Sequence, residues 1–130
     1  MNAAQRYLAA STARDVQAAV AELAEDVVML NPATDDAVVG RDVVAGALRA
    51  VEAACDEFRH THLLQSGPRD QPALYGLVFE ARVGEAKLNG VDLIELNEQD
   101  LISTFTVMAR PLASLMALGT RMADAQPSSD

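Results

Sequence analysis

The side chains able to do chemistry here centre on one carboxylate. Asp92 lies inside an apolar run, Val91 to Leu96, and a second run, Leu101 to Met108, follows it. Between them sits Asn97-Glu98-Gln99-Asp100, a polar cluster of the kind that closes a hairpin. With those four residues as the loop, Leu96 faces Leu101, Ile94 faces Ser103 and Asp92 faces Phe105. Side chains alternate along a strand, so Asp92, Ile94, Leu101, Phe105 and Val107 share one face. A carboxylate there must be paired, exposed or protonated, because burying a bare charge is costly. Protonated in an apolar hollow, it donates a hydrogen bond to a carbonyl or enolate. On a strand edge it reaches water, or pairs with a cation such as Arg110.

Other groups can join it. His60 and His62 share the even face of Phe58 to Gln65 with Phe58 and Leu64. An imidazole beside a carboxylate is a ready base near neutral pH, or simply a satisfied side chain in a wet wall. A catalytic zinc needs three protein ligands, and no third ligand is evident. Neither a metal nor a cofactor is expected. Tyr7 either points its hydroxyl into the same hollow or is a core aromatic. Asn31 either holds a ligand oxygen or ends a strand before Pro32. Tyr75, Phe79 and Phe105 are the aromatic candidates for ligand contact. Cys55 reads as a core residue.

These groups need elements to hold them. Asn2 to Thr12 reads as a helix. Asp15 can cap a second, Val16 to about Ala24. Val27 to Leu30 is a short strand, and Val38-Val39 can pair briefly. Asp42 can cap a third helix reaching about Asp56, with Val44, Leu48, Val51 and Cys55 as its buried stripe. Phe58 to Gln65 is a strand, and Ser66 to Pro72 is turn chemistry. From Ala73 to Val83 the alternation is the clearest in the chain: Tyr75, Leu77, Phe79, Ala81 and Val83 against Glu80 and Arg82. Lys87 to Leu96 leads into the hairpin. A last helix runs to about Met122, with Leu112, Leu115, Met116 and Met122 on its apolar side, and residues 123–130 form a disordered tail. The pattern is a single α+β domain over 1–122, with a sheet curled round three helices and a pocket on its concave side. The convex side carries Thr61, Glu80, Arg82, Thr104 and Thr106 with Leu93, Ile102 and Met108, a surface suited to a homodimer.

A length of 130 residues, half of them hydrophobic, suits one domain with a real core. A formal charge of -9 opposes binding to nucleic acid or to anionic membranes. One cysteine permits no intrachain disulfide. No basic segment leads into an apolar run as in a secretory leader, and no run approaches a membrane span. A soluble cytoplasmic protein is the expectation.

Two stretches, RYLAASTARDVQAAVAELAEDVVMLNP (Arg6 to Pro32) and GVDLIELNEQDLISTFTVMARP (Gly90 to Pro111), carry a family resemblance. The chain resembles the nuclear transport factor 2-like superfamily, in particular its SnoaL-like polyketide cyclases and ketosteroid isomerases. The resemblance implies a cone-shaped, cystatin-like α+β barrel: a curved antiparallel sheet wrapped round three helices, plus a C-terminal helix. It places Tyr7 where the isomerases bind the substrate oxyanion. Asp92 takes the place of their protonated aspartic acid, and Asn31 that of the aspartate that moves the proton. Asn has no basic site near neutral pH, so that role is lost at position 31. The limonene epoxide hydrolases set an arginine where this chain has Gly90, so their chemistry is not implied. The expected function is binding of a small apolar carbonyl-bearing ligand, steroid- or polyketide-like. If it is an enzyme, Tyr7 and Asp92 stabilise an enolate while His62 or His60 moves the proton. The alternative is a non-catalytic binding or scaffold protein.

Overall fold

The alternation of Tyr75 to Val83 becomes the strand on which the core is built: its five inward side chains are all buried. A computed structural model describes residues 1–67 and 74–125. Its elements are α1 (Ala3–Thr12), α2 (Val16–Val20), β1 (Leu23–Leu30), β2 (Ala37–Val39), α3 (Arg41–Ala54), β3 (Glu57–Gln65), β4 (Tyr75–Val83), β5 (Ala86–Leu96), β6 (Ile102–Arg110) and α4 (Leu112–Ala125). The strands form one curved sheet in the order β2-β1-β6-β5-β4-β3. This is the expected α+β class.

One feature of the sheet corrects the expectation. It is mixed, because β1 runs parallel to β6, with Met29 opposite Phe105, while the other pairs are antiparallel. The β5–β6 hairpin leaves the far edge of β6 open, and β1 fills it. Ile102 is drawn into the core by that pairing, opposite Leu23, and is fully buried rather than on the convex side. The same pairing shortens α2, which ends at Val20. Leu23 and Ala24 enter the sheet as buried strand residues.

The helices pack on the sheet's concave side, where α1 meets β3 and β5, α3 meets β1, and α4 meets β4, β5 and β6. Gly40, at φ +103, sits at the start of α3 with no side-chain cap, so Asp42 lies in the first turn instead of capping it. On α4, Leu115, Leu118 and Met122 face the core, whereas Leu112 and Met116 are exposed. That helix continues to Ala125, so 123–125 are helical. The remaining tail, Ala73 and most of the expected Ser66–Pro72 turn lie outside the described residues.

Asn2 fastens α1 to the sheet. Its side-chain oxygen accepts from the Gln5 backbone N–H at 3.0 Å, and Gln5 returns the contact to the Asn2 N–H at 2.9 Å. Its amide donates to the Tyr75 hydroxyl at 2.9 Å. Asn2→Ala removes a cap and a cross-element bond together. It is expected to lower the stability measured by urea unfolding by about 1–2 kcal/mol.

Candidate functional site

A bulge in β3 decides which histidine faces inward. His60 pairs with Phe79 and His62 with Val78, so Thr61 is an extra residue in the ladder. A bulge of this kind re-aims the side chains that follow it. The His60 side chain is only 2% exposed. His62 points outward, is exposed, and its Nδ1 lies 2.9 Å from Thr61 Oγ1. The expected shared face for the two histidines is thereby corrected. Leu63 takes the inward place after the bulge, and Leu64 is exposed.

The hairpin is also irregular. A shift between Glu95 and Leu96 pairs Leu96 with Ile102, Ile94 with Phe105 and Asp92 with Val107. The register therefore differs from the expected one by two residues along most of its length. A shift of two keeps every side chain on its face. Asp92 remains on the inner face beside Ile94, Phe105 and Val107, and Leu101 belongs to the turn while still packing against the core.

Between the sheet and the helices lies a cavity of about 420 Å³. Such a volume suits a small organic molecule. Its wall is mostly apolar, with Met29, Leu48, Phe79, Phe105, Val107 and Leu118 among the lining residues. Tyr7, Ser11, Asn31 and Asp92 also line it. Tyr7 stacks edge-on against Phe105, ring centroids 5.5 Å apart. Cys55, expected in the core, is buried and reaches the cavity wall as well; burial pushes its thiol up.

Asp92 is 5% exposed. Its Oδ2 lies 3.3 Å from His60 Nε2, and His60 Nδ1 lies 3.3 Å from Ser11 Oγ. Burial pushes the Asp92 carboxyl above the usual range, and the His60 hydrogen bond and charge only partly offset it. Burial also raises the Tyr7 phenol, with smaller contributions from the charges of Asp92 and Glu52. Both groups are thus favoured in their neutral, hydrogen-donating forms. Ser11 was not among the residues the sequence singled out. Its signal was the i, i+4 spacing from Tyr7, which puts both on one helix face.

Two expected ligand contacts are placed differently. Tyr75 is buried but does not line the cavity; its hydroxyl is held by Asn2. Asn31 lines the cavity, yet its Oδ1 accepts from the backbone N–H groups of Ala33 at 2.8 Å and Thr34 at 3.0 Å. It therefore builds the turn that ends β1. Among the described residues, no group of three or more His, Cys, Asp or Glu side chains is arranged to hold a metal ion.

The raised Asp92 carboxyl has a consequence for stability. Between the ordinary Asp value near 3.8 and its elevated folded value, the folded chain holds a proton that the unfolded chain has released. Stability contributed by this group therefore falls as pH rises through that window. Urea unfolding of the wild type and Asp92→Asn across this range is expected to show the wild type losing ground steadily as pH rises from about 4.

Residues 4–105 match the family model described as a SnoaL-like domain, which covers most of the chain. The chain belongs to the SnoaL-like family. Two solved structures of similar sequence agree with it. One is an uncharacterized protein with a cystatin-like fold from Silicibacter pomeroyi DSS-3: 34% identity, TM-score 0.83, covering 94% of this chain and 83% of that one. The other is a steroid delta-isomerase from Pseudomonas aeruginosa: 30% identity, TM-score 0.85, covering 94% and 87%. An NTF-2 like protein of unknown function from Burkholderia xenovorans LB400 shares the fold at 17% identity, TM-score 0.66, over 98% and 93%. No curated protein matches the chain. For this SnoaL-like chain, no helix of the described residues is long and apolar enough to cross a membrane.

Proposed function

We propose that the cavity binds a small, largely apolar, carbonyl-bearing molecule of steroid or polyketide type, and that Tyr7 and Asp92 donate hydrogen bonds to its oxygen. The observation that carries this reading is the Asp92 carboxyl: buried, pushed toward its neutral form, and set in an apolar wall that it shares with Tyr7. A carbonyl so held becomes more acidic at its α-carbon, because the donors are better matched to the enolate than to the ketone. The chemistry proposed is proton transfer beside that carbonyl, an isomerisation or an aldol-type cyclisation, with His60 as the proton carrier. The similarity to the steroid delta-isomerase supports this choice. We further propose a cytoplasmic homodimer that pairs through the convex face, where Leu93 and the exposed Met108 lie.

A second reading is a pocket that binds and does not catalyse. It is favoured by Asn31, which offers no basic site and is engaged in its own turn. Two measurements separate the readings. Fluorescence titration with 2-naphthol, a phenol that mimics an enolate, is expected to show binding that Tyr7→Phe weakens. Conversion of a 3-oxo-5-ene steroid to its conjugated isomer, followed by absorbance, is expected for the enzyme and not for the binder. A wild-type protein that takes up neither compound refutes both.

A further inference from the structure

His60 is the one imidazole near the cavity, yet it does not line it. Its side chain is 2% exposed, boxed by Phe58 edge-on at 5.2 Å and by its two hydrogen-bonding partners. A ligand in the cavity meets the ends of this chain of contacts, Ser11 and Asp92, and not the ring between them. We infer that Ser11 is the catalytic hydroxyl through which His60 exchanges protons with the ligand. This rests on the proton-transfer reading above and supplies the route it lacks.

The hydrogen-bond pattern allows only one arrangement in which every group serves that role. Asp92 keeps its proton on Oδ1 throughout and donates it as a hydrogen bond to the ligand oxygen. Its Oδ2 accepts from His60 Nε2–H. The Nδ1 lone pair then faces Ser11, whose O–H donates to it. When the ligand loses a proton, its α C–H bond breaks and a new O–H bond forms on Ser11 Oγ. The former Ser11 O–H bond breaks as Nδ1–H forms. The products are an enolate, held by Tyr7 and Asp92, and an imidazolium, held by Asp92 Oδ2 and Ser11. Charge is conserved overall, and no oxidant or reductant takes part. The reverse steps deliver the proton to a different ligand atom. The relay thus does with two side chains what Asn31 has no basic atom to do.

The charged and titratable groups facing the relay are few. Strand β5 contributes Asp92, α1 contributes Tyr7, Asp15 caps α2, α3 contributes Glu52 and Cys55 follows it. Arg14, in the turn after α1, sits 3.4 Å from Glu52. Strands β4 and β6 present Phe79 and Phe105, and α4 presents only apolar residues and Gly119. No cation besides Arg14 lines the cavity among the described residues, so His60 is the only proton acceptor that can become positive beside the enolate.

The test uses 2-decalone, a two-ring ketone, in D2O, with α-proton exchange read by NMR. Protons parked on Ser11 and His60 are replaced by deuterons, so exchange reports the relay directly. Ser11→Ala is expected to bind 2-naphthol within about twofold of the wild type and to exchange about a hundredfold more slowly. Ser11→Thr is expected to restore exchange. Ring-nitrogen NMR in a His62→Gln background, where His60 is the only imidazole, is expected to show an Nδ1 resonance that moves in Ser11→Ala. Equal exchange rates for wild type and Ser11→Ala, or an unmoved Nδ1 resonance, overturn the relay alone. A wild type that binds the ketone and exchanges nothing overturns the proton-transfer reading and the relay with it.

Discussion

Asp92→Asn is expected to slow α-proton exchange of a bound ketone by about a hundredfold or more, and to weaken 2-naphthol binding by about tenfold. The substitution is close to isosteric. The amide oxygen can still accept from His60 Nε2–H, whose partner lies 3.3 Å away, so the wall keeps its shape. What disappears is the acidic O–H, the donor whose hydrogen bond strengthens as negative charge grows on the ligand oxygen. Charged-partner hydrogen bonds contribute about 1.5–3 kcal/mol each. Removing a donor that acts on a developing oxyanion costs about 10²–10³ in rate. Binding to a phenol falls less, since an amide N–H still donates. Fluorescence titration and NMR exchange measure the two effects on the same samples. Unchanged values for both would remove Asp92 from the ligand's reach.

Gly90→Ala is expected to cost about 3 kcal/mol or more of stability, enough to leave the protein partly unfolded at ambient temperature. A Cβ at this position would collide with the Met108 carbonyl oxygen. It would also come within 2.8 Å of Ala109 Cα and 2.9 Å of Phe79 Cζ. Two of those obstacles are backbone, which cannot rotate away. Relief requires β5 and β6 to part, and Gly90 lies two residues before Asp92 on the same strand. A variant that survives is therefore expected to bind 2-naphthol poorly too. Urea unfolding followed by circular dichroism gives the stability. The same crowding leaves no room for any larger side chain where Gly90 stands. Gly76, whose added Cβ would meet only side chains, the nearest at 3.3 Å, is the milder control.

How much of this could be read from sequence depended on the parity of each irregularity. The hairpin carries a register shift near its turn, and the expected pairing was off by two residues. Two is a whole strand period, so Asp92 stayed with Phe105 and Val107 on the inner face. The β3 bulge inserts one residue, Thr61, which is half a period. Everything after it changes face, so His62 and Leu64 went outward while Leu63 went in. Alternation alone carries no mark of such an insertion. The strand alternation of Tyr75 to Val83 was legible because no bulge interrupts it. Tyr75 still misled, because a strand face is longer than the cavity beneath it. Its hydroxyl meets Asn2, a contact between residues far apart in the chain. Ser11 was overlooked because a lone serine in an Ala-rich helix looks like filler until a distant imidazole is brought to it.

The parallel pairing of β1 with β6 has an effect on the order of assembly. Leu30 and Thr106 must find each other although more than half the chain is made between them. A fragment that stops short of β6 can close the β3–β4–β5 meander, but its first strand can pair only with β2 and is not joined to the rest of the sheet. Loop closure over such a span is slow compared with hairpin zipping. The hollow that shelters Asp92 is thus sealed late, after synthesis has passed β6. Until then the inward side chains of β1, Val27 and Met29, lack the neighbouring strand beside which they are buried.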